Sequence, residues 1–575
     1  MKQHEIAALF TQMADLLEYR DENPFRIRAY RRAAQNLESF SGDLERLAAE
    51  RRLRELSGIG ADLAEKIEEY LQTGKMRAVE SLKRRVPPGI LELLEVPGLG
   101  PKTAKLLTKR LRVSTVGELE EAAKAHRIRG LPGFGAKKEE NLLKGIGVLA
   151  RGRERMHLGI AVPLANELLA LLRRAPGVSR VSTAGSLRRM RETIGDLDLL
   201  AASTRPLKAM EALRKSSFCA RVLASGRTKS SILTPDGLQI DLRVVPPESF
   251  GAALQYFTGS KEHNVRLREL AGRQGLKVNE YGVFRLKTGK RLAGREEADV
   301  YKALGLAWIP PELREDCGEI DAAKAGRLPS LVEAEDIRGD FHIHTRWSDG
   351  SDSLSRVAKA GTARGYQYLA ICDHSPSLKV AHGMPVRRLR EQMREIRALN
   401  ARGGPLRLLM GAEVDILGDG SMDYPDAVLA DLDFVVGSIH SGFGQGEAAL
   451  TRRLIAAMRN PYVTLIAHPT GRLMGQREPY PVDLEAVFRA AKTTGTALEL
   501  NAHPRRLDLN DASARRAREA GVMLALSTDT HSVDQLEQIA FGLAVARRAW
   551  LEPRHLLNCF TLNQLLAWVG RKRHK

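Results

Sequence analysis

The sequence predicts a multidomain chain of α+β and α/β class. Small helical units come first, a compact sheet-and-helix unit follows, and a parallel (β/α) barrel closes the chain. Three observations carry this expectation. A Gly-apolar-Gly turn recurs three times before residue 145, each time opening a helix with periodic apolar positions. Two alternating stretches between residues 184 and 250 place aspartates on one strand face. Beyond residue 338, six of the 14 histidines fall at the ends of short apolar runs.

Length and charge agree with this division. At 575 residues the chain exceeds one ordinary domain. Its 90 lysines and arginines outnumber 70 acids, for a net charge of +20. The surplus is local: 16 basic against 17 acidic residues in 1–100, 38 against 20 in 101–300, and 36 against 33 in 301–575. A charge so concentrated reads as a polyanion-binding surface. Hydrophobic content of 43% and charged content of 28% fit a globular chain. No run of about 18 apolar residues predicts a membrane span. The N-terminus carries Glu5 and Asp15 within its apolar pattern, so it reads as an amphipathic helix rather than a signal peptide. Cys219, Cys317, Cys372 and Cys559 lie far apart without a CxxC pair, against a disulfide framework or thiolate zinc site and for a reducing cytoplasm.

In the helical third the repeated device reads LSGIGADLAEKI (56–67), LEVPGLGPKTAKLL (94–107) and RGLPGFGAKKEENLL (129–143). Gly58 and Gly60, Gly98 and Gly100, and Gly133 and Gly135 permit a tight turn and close approach to another molecule. The helix behind each pair presents free N–H groups to phosphate oxygen, and Lys66, Lys102 and Lys137 add charge. One such turn is an ordinary helix connection. Three copies resemble helix-hairpin-helix motifs, which hold the DNA backbone without reading its sequence.

The central unit reads AGSLRRMRETIGDLDLLAAS (184–203) and GLQIDLRVVPPESF (237–250). Asp196 and Asp198 share a face, with Leu197 and Leu199 on the other; Gln239, Asp241 and Arg243 share a face opposite Leu238, Ile240 and Leu242. If the strands pair, three carboxylates converge, and hard oxygen ligands suit Mg²⁺. Two ions so held clamp the attacking and leaving oxygens of a phosphoryl displacement. Gly185 and Ser186, with Arg188 and Arg189, are placed to take terminal phosphates. A DxD pair alone is a frequent solvated strand end. Together with G-S-x-R-R, the third aspartate and YFTGSKEHN (256–264), it resembles the family X DNA polymerases, gap-filling nucleotidyltransferases.

That resemblance implies residue roles. Asp196, Asp198 and Asp241 would bind two Mg²⁺ ions, Asp241 also activating the primer 3′-hydroxyl. Ser186, Arg189, Gly185, Gly259 and Arg155 would bind the nucleotide. Tyr256 and Phe257 would lie beside its sugar, and Asn264 and Arg268 would touch the nascent base pair and template. It extends backward over FRIRAYRRAAQNL (25–37) and ADLAEKIEEYLQTGKMR (61–77), which look like the family's 5′-end-binding domain. There Lys66 matches a Schiff-base lysine of deoxyribose phosphate lyases, and Tyr30 a supporting tyrosine. Another lysine of that pocket is replaced here by Asp62, and Glu65, Glu68 and Glu69 surround Lys66. Such acids favour an ammonium and weigh against lyase chemistry.

The last part places His342 and His344 on one strand, Asp349 in the turn after it, and then CDHS (372–375), GAEVDI (411–416), GSIHSGF (437–443), IAHPTGR (466–472) and STDTHS (527–532) behind apolar runs. Helical segments 354–364, 386–401 and 483–494 intervene, so ligands collect at the carboxyl ends of barrel strands. Clustered imidazoles with a few carboxylates favour Zn²⁺ or Mn²⁺. The set resembles the PHP (polymerase and histidinol phosphatase) domain, a distorted barrel of seven strands with a trinuclear site. By that resemblance His342, His344, Glu413 and Asp529 hold one ion, Glu413, His440 and His468 a second, and Asp349, His374 and His531 a third. His382 and His503 are alternatives for substrate phosphate.

Together the resemblances imply the architecture of bacterial family X polymerases. The expected order is a 5′-end-binding domain (1–85), fingers-like helix-hairpin-helix domain (86–150), palm (151–248), thumb (249–316), linker (317–337) and PHP domain (338–575). The implied function is gap-filling, template-directed synthesis in base-excision repair with 3′→5′ exonuclease activity, and apurinic-site endonuclease or 3′-phosphatase activity as additions. The implied partners are gapped or primed DNA and dNTPs, in a bacterial, nucleoid-associated, monomeric protein. Two alternatives stay open: a phosphatase of small phosphate esters with a DNA tether, and a non-catalytic scaffold for DNA ends.

Overall fold

The computed structural model describes residues 2–38, 44–56, 58–96 and 99–573. Gly98, the first glycine of the second hairpin motif, lies outside them. The helical third forms two apolar clusters, one around Phe10, Tyr30 and Ile67, the other around Leu93, Leu107 and Leu119. Gly60, Gly100 and Gly135 are the N-cap residues of the helices Ala61–Thr73, Pro101–Leu111 and Ala136–Glu154, and none of these caps has a side-chain hydrogen bond. Their first-turn N–H groups therefore remain available to an external acceptor. Gly58 (φ 76°) and Gly133 (φ 79°) occupy the left-handed region that the turn demands.

The central sheet runs in the order Val178–Thr183, Leu197–Ser203, Gln239–Val245, Lys229–Leu233, Arg221–Ser225. The Leu197–Ser203 and Gln239–Val245 strands pair in parallel, with Asp198 directly opposite Asp241. The alternation does what period two dictates: Leu197, Leu199, Ile240 and Leu242 enter the core with Leu168 and Leu172 of the helix Leu158–Arg173. A three-stranded sheet (276–279, 282–285, 291–293) and the helices Phe250–Thr258, Lys261–Arg273 and Glu297–Ala303 follow as the thumb. Part of the segment expected as a linker packs into it. Ile320, Ala323 and Leu331 join the thumb core, and buried Glu319 accepts from the backbone of Asp316 and Cys317 and pairs with His263 Nδ1 at 2.6 Å.

The C-terminal sheet has seven parallel strands in sequence order: Gly339–Ile343, Tyr368–Ile371, Arg407–Asp415, Phe434–Ser438, Val463–Ile466, Ala497–Asn501 and Leu524–Ser527. Nearly every residue in them is buried, as strands covered on both faces require. The ring is nearly closed by a single parallel bridge at the ends of its first and last strands, where His344 N donates to Thr530 O (2.8 Å) and Thr530 N to His342 O (3.2 Å). Helices Leu354–Ala363, Val386–Ala401 and Leu484–Thr494 fall where the periodicity placed them. Leu507 and Val545 of this domain insert into the palm core, and Arg472 grips Glu192 with two bonds of 3.0 and 2.7 Å.

A buried charge cluster ties thumb to palm. Glu297 accepts Arg188 through both oxygens (2.6 and 2.8 Å), Arg314 (2.7 Å) and Trp308 Nε1 (3.0 Å). Burial opposes the Glu297 charge, but Arg188 and Arg314 outweigh it and pull its pKa from 4.5 to about 2. Glu297→Gln leaves two buried guanidiniums under-compensated and should cost about 3–5 kcal/mol in the palm and thumb transition, read by denaturant unfolding. Because the folded value is depressed, the Glu297 contribution is complete above about pH 4.5 and is lost as the pH falls toward 2. Wild type and Glu297→Gln should therefore converge in stability on acidification, checked by urea titrations between pH 3 and 7.

Candidate functional sites

The first site lies at the amino ends of the paired palm strands, where Asp196 precedes and Asp198 enters the strand Leu197–Ser203. Asp196, Asp198, Gly185, Ser186, Arg189, Arg155, Tyr256, Phe257, Gly259, Asn264 and Arg268 all line one cleft of about 660 Å³. Asp241 stands beside Asp198 in the register of the sheet. Gly185 has φ 57°, and a Cβ there would strike the Asp198 carboxylate, so glycine is what lets the turn approach the acid. Burial, then repulsion from Asp196 and Asp241, pushes Asp198 up to about 7. Asp241 is lowered: burial raises it, but contacts with Lys229 (Nζ to Oδ2, 2.6 Å), Ser231 and Gln239 (3.1 Å) prevail. Crowded carboxylates that resist ionising together are a donor set suited to hard divalent cations.

The other cleft residues are held in place. Arg189 Nη1 donates to Thr258 O (2.5 Å), and Arg155 donates to the Thr193 hydroxyl (2.9 Å) and carbonyl (2.7 Å). Tyr256 and Phe257 meet edge to face at 5.2 Å, with the Arg243 guanidinium 4.8 Å from the Phe257 ring. Asn264 donates to Tyr256 O (2.7 Å) and accepts from Gln255 (2.7 Å). Lys229 was not visible as a site residue in the sequence. Only the antiparallel pairing of Lys229–Leu233 with Gln239–Val245 brings it to Asp241.

The second site is the carboxyl-end mouth of the barrel, and Glu413 is its hub. Its two oxygens stand 3.3 Å from His342 Nε2, 3.6 Å from His344 Nε2, 2.9 Å from His374 Nδ1, 3.2 Å from His440 Nε2 and 3.1 Å from His468 Nε2. Asp529 Oδ1 is 3.4 Å from His344 Nε2, and Asp349 Oδ2 is 3.5 Å from His374 Nε2 and 3.3 Å from His531 Nε2. Among the described residues, three groups have donors close enough to share an ion: His344, Asp349, His374 and His531; His342, His344 and Asp529; His374, Glu413 and His440. His374 thus faces Glu413 as well as Asp349, a wider reach than the third ligand set alone, where the family resemblance placed it.

Buried His342 Nε2, both His344 nitrogens and His374 Nδ1 make no hydrogen bond of good geometry, although carboxylates are near. Orphaned imidazole nitrogens aimed at shared centres fit metal ligation. Burial pulls His344 down to about 3, helped by His531 and His374. Burial opposes the charge on His374 and His440, but Glu413 together with Asp349 at the first and Asp415 at the second prevails, raising them to about 10 and about 9. Cation binding would displace those protons.

Outer partners orient these donors. Glu499 accepts from His342 Nδ1 (2.8 Å) and His468 N (2.5 Å), and Asp415 engages His440 Nδ1 (2.9 Å). Asn501 Nδ2 (3.2 Å) and Arg506 Nε (3.1 Å) both meet Asp529 Oδ2. Sequence reasoning passed over Glu499 and Asp415; the signal was a second acid two residues from a ligand (Asp415) or in a buried run (Glu499). Of the alternatives, His503 sits beside Asn501 with its side chain held neutral near pKa 4 by burial, and His382 is exposed.

In the helical part the three lysines behind the hairpin glycines have different surroundings. Lys66 ion-pairs with Asp62 Oδ1 and donates to Asp62 O (3.2 Å), and Tyr30 OH is 3.5 Å from Asp62 Oδ2. Lys137, expected on DNA, donates to Gly444 O of the barrel domain (3.1 Å), while Lys102 is exposed.

Comparison with known proteins matches this arrangement part by part. Residues 1–76 match a helix-hairpin-helix domain, 90–147 a SAM-like helix-hairpin-helix tandem, 253–315 the DNA polymerase beta thumb, and 340–503 the PHP domain. The DNA polymerase/3′-5′ exonuclease PolX of Bacillus subtilis is 40% identical over 99% of this chain and 100% of its own length. A probable phosphatase of Syntrophotalea carbinolica is 29% identical over 42% of this chain and 99% of its own, and one of Acetivibrio thermocellus is 32% identical over 33% and 78%. No helix among the described residues is long and apolar enough to cross a membrane. By sequence along its whole length, this chain belongs to the family X DNA polymerases that carry a PHP domain.

Proposed function

We propose that the chain is a template-directed, gap-filling DNA polymerase whose PHP domain is a 3′→5′ exonuclease, acting in base-excision repair on gapped or primed DNA with dNTPs. The observation that carries this reading is the presence of two donor sets in one chain: Asp198, in the wall of the nucleotide-sized cleft, opposite Asp241, and a cluster of six histidines and two aspartates with Glu413 at its centre. Two Mg²⁺ ions on Asp196, Asp198 and Asp241, and Mn²⁺ or Zn²⁺ on the barrel donors, supply Lewis-acid stabilisation of phosphoryl charge and activation of water. The residues do the rest. Ser186, Arg155 and Arg189 hold the triphosphate; Tyr256 and Phe257 pack against the sugar and crowd a 2′-hydroxyl; Asn264 and Arg268 meet the base pair. Asp241, kept ionised by Lys229, accepts a hydrogen bond from the primer 3′-hydroxyl and aims its oxygen. In the barrel, Glu499 and Asp415 fix the rings of His342 and His440 so that a scissile phosphate meets preset charge.

The phosphatase relatives leave a second reading for the barrel alone, hydrolysis of small phosphate esters. A 5′-labelled primer in a one-nucleotide gap separates the readings. With dNTPs the band should lengthen by one; without them, in Mn²⁺, it should shorten stepwise. Asp198→Ala should reduce addition by about 10³-fold, equivalent to about 4 kcal/mol, and spare shortening. His344→Ala should do the reverse. Loss of both activities in either variant would refute independent sites.

Glu413→Gln should release bound metal. After dialysis, elemental analysis should find fewer ions per chain than in wild type, with nuclease activity lost and nucleotide addition kept. Chelation should likewise lower the melting temperature of the barrel in wild type and barely move it in Glu413→Gln. For Lys66, the amine is already engaged by the side chain of Asp62. Borohydride treatment with a 5′-deoxyribose-phosphate oligonucleotide should trap no adduct; an adduct abolished by Lys66→Ala would establish lyase chemistry.

A further inference from the structure

An arginine of the barrel domain reaches the wall of the polymerase cleft. Arg548, in the helix Ile539–Arg548, has only 3% of its side chain exposed. Its Nε and Nη2 bind Asp511 Oδ2 (2.8 and 2.6 Å), and its Nη1 donates to Glu315 Oε1 (3.0 Å) and Arg189 O (2.8 Å). The same Glu315 oxygen receives Arg189 Nε at 3.0 Å, with Arg191 Nη1 more distant at 3.9 Å. Glu315 lines the cleft with Ser186, Asp196 and Asp198. An acid therefore stands where the phosphates of a nucleotide are to sit, holding the arginine meant for them.

We infer that Arg548 is a positioning residue for nucleotide binding: it shares the charge of Glu315 and fixes the Arg189 backbone, so that the Arg189 guanidinium, which also donates to Thr258 O, is less tightly held by Glu315 and can turn to the triphosphate. The inference rests on the assignment of Arg189 as a triphosphate contact. Two unit charges at hydrogen-bond distance in a partly dry cleft attract far more strongly than in bulk water. Without Arg548, Glu315 would repel the ligand and keep Arg189 as its main counter-ion. With Arg548, one carboxylate is shared between two cations, and giving up one of them costs less. Asp511 keeps Arg548 in place from the far side. The barrel domain thus supports nucleotide affinity in the other active site without touching the nucleotide.

The test is steady-state dNTP incorporation into a one-nucleotide gap by full-length protein, with nuclease rate measured in parallel. Arg548→Gln should raise the dNTP KM about tenfold, the size of one charged contact, with kcat changed less than about twofold and nuclease rate intact. Arg548→Lys should recover most of the loss. Glu315→Gln should leave KM at or below the wild-type value, and adding Arg548→Gln to it should cause no further rise. A KM rise in Glu315→Gln alone, a measurement independent of how Arg548 variants fold, overturns the inference. So does an equal effect of Arg548→Gln in both backgrounds, which would mark a role in packing only, or an unchanged KM in Arg548→Gln. Arg189→Ala serves as the control: an unchanged KM there would instead remove the assignment of Arg189 itself.

Discussion

Two strands paired in parallel, with Asp198 against Asp241, impose the constraint that the palm is built to satisfy. Like charges separate unless something rigid prevents it, and here the rigidity is apolar. Leu197, Leu199, Ile240 and Leu242 anchor the opposite face of the same strands in the core, so the acids cannot move apart without opening it. The neighbourhood follows from that crowding. Glycine stands at 185 because the Asp198 carboxylate takes the space of a side chain. Lys229 partly neutralises Asp241, and Arg188 turns away from the cleft to bind Glu297, drawing the thumb onto the palm.

The barrel solves a related problem with different chemistry. It gathers imidazoles as well as carboxylates, and the two compensate one another around Glu413. Closure of the ring at His342, His344 and Thr530 matters here, because an open sheet could not bring donors from the first and last strands into one mouth. The outer acids Glu499 and Asp415 then select which ring nitrogen faces inward.

Much of this was legible in the residues. Strand alternation placed Asp198 and Asp241 on a common face, although Asp196 lies in the bend just before its strand, and ligands at the ends of apolar runs marked the barrel mouth, because period and position are local properties of sequence. The hairpin glycines were legible for the same reason, and Gly60, Gly100 and Gly135 do begin helices. What escaped depends on partners remote in the chain. Arg548 and Glu315 are separated by 233 positions, and Lys137 and Gly444 by 307. No periodicity encodes such pairs. Residues 317–337 read as a polar connector because their few apolar side chains, among them Ile320, Ala323 and Leu331, have a burial partner only once the thumb has folded.

The seam between palm and barrel has a consequence of scale. Leu507 and Val545 are lodged in the palm core, and Arg472 is locked on Glu192, so the two halves meet through buried packing rather than a flexible joint. A swinging arm is then a poor description of how one DNA end reaches both centres. In such a frame the strand does the travelling: a DNA end passes from one mouth to the other by its own movement and not by a hinge between palm and barrel.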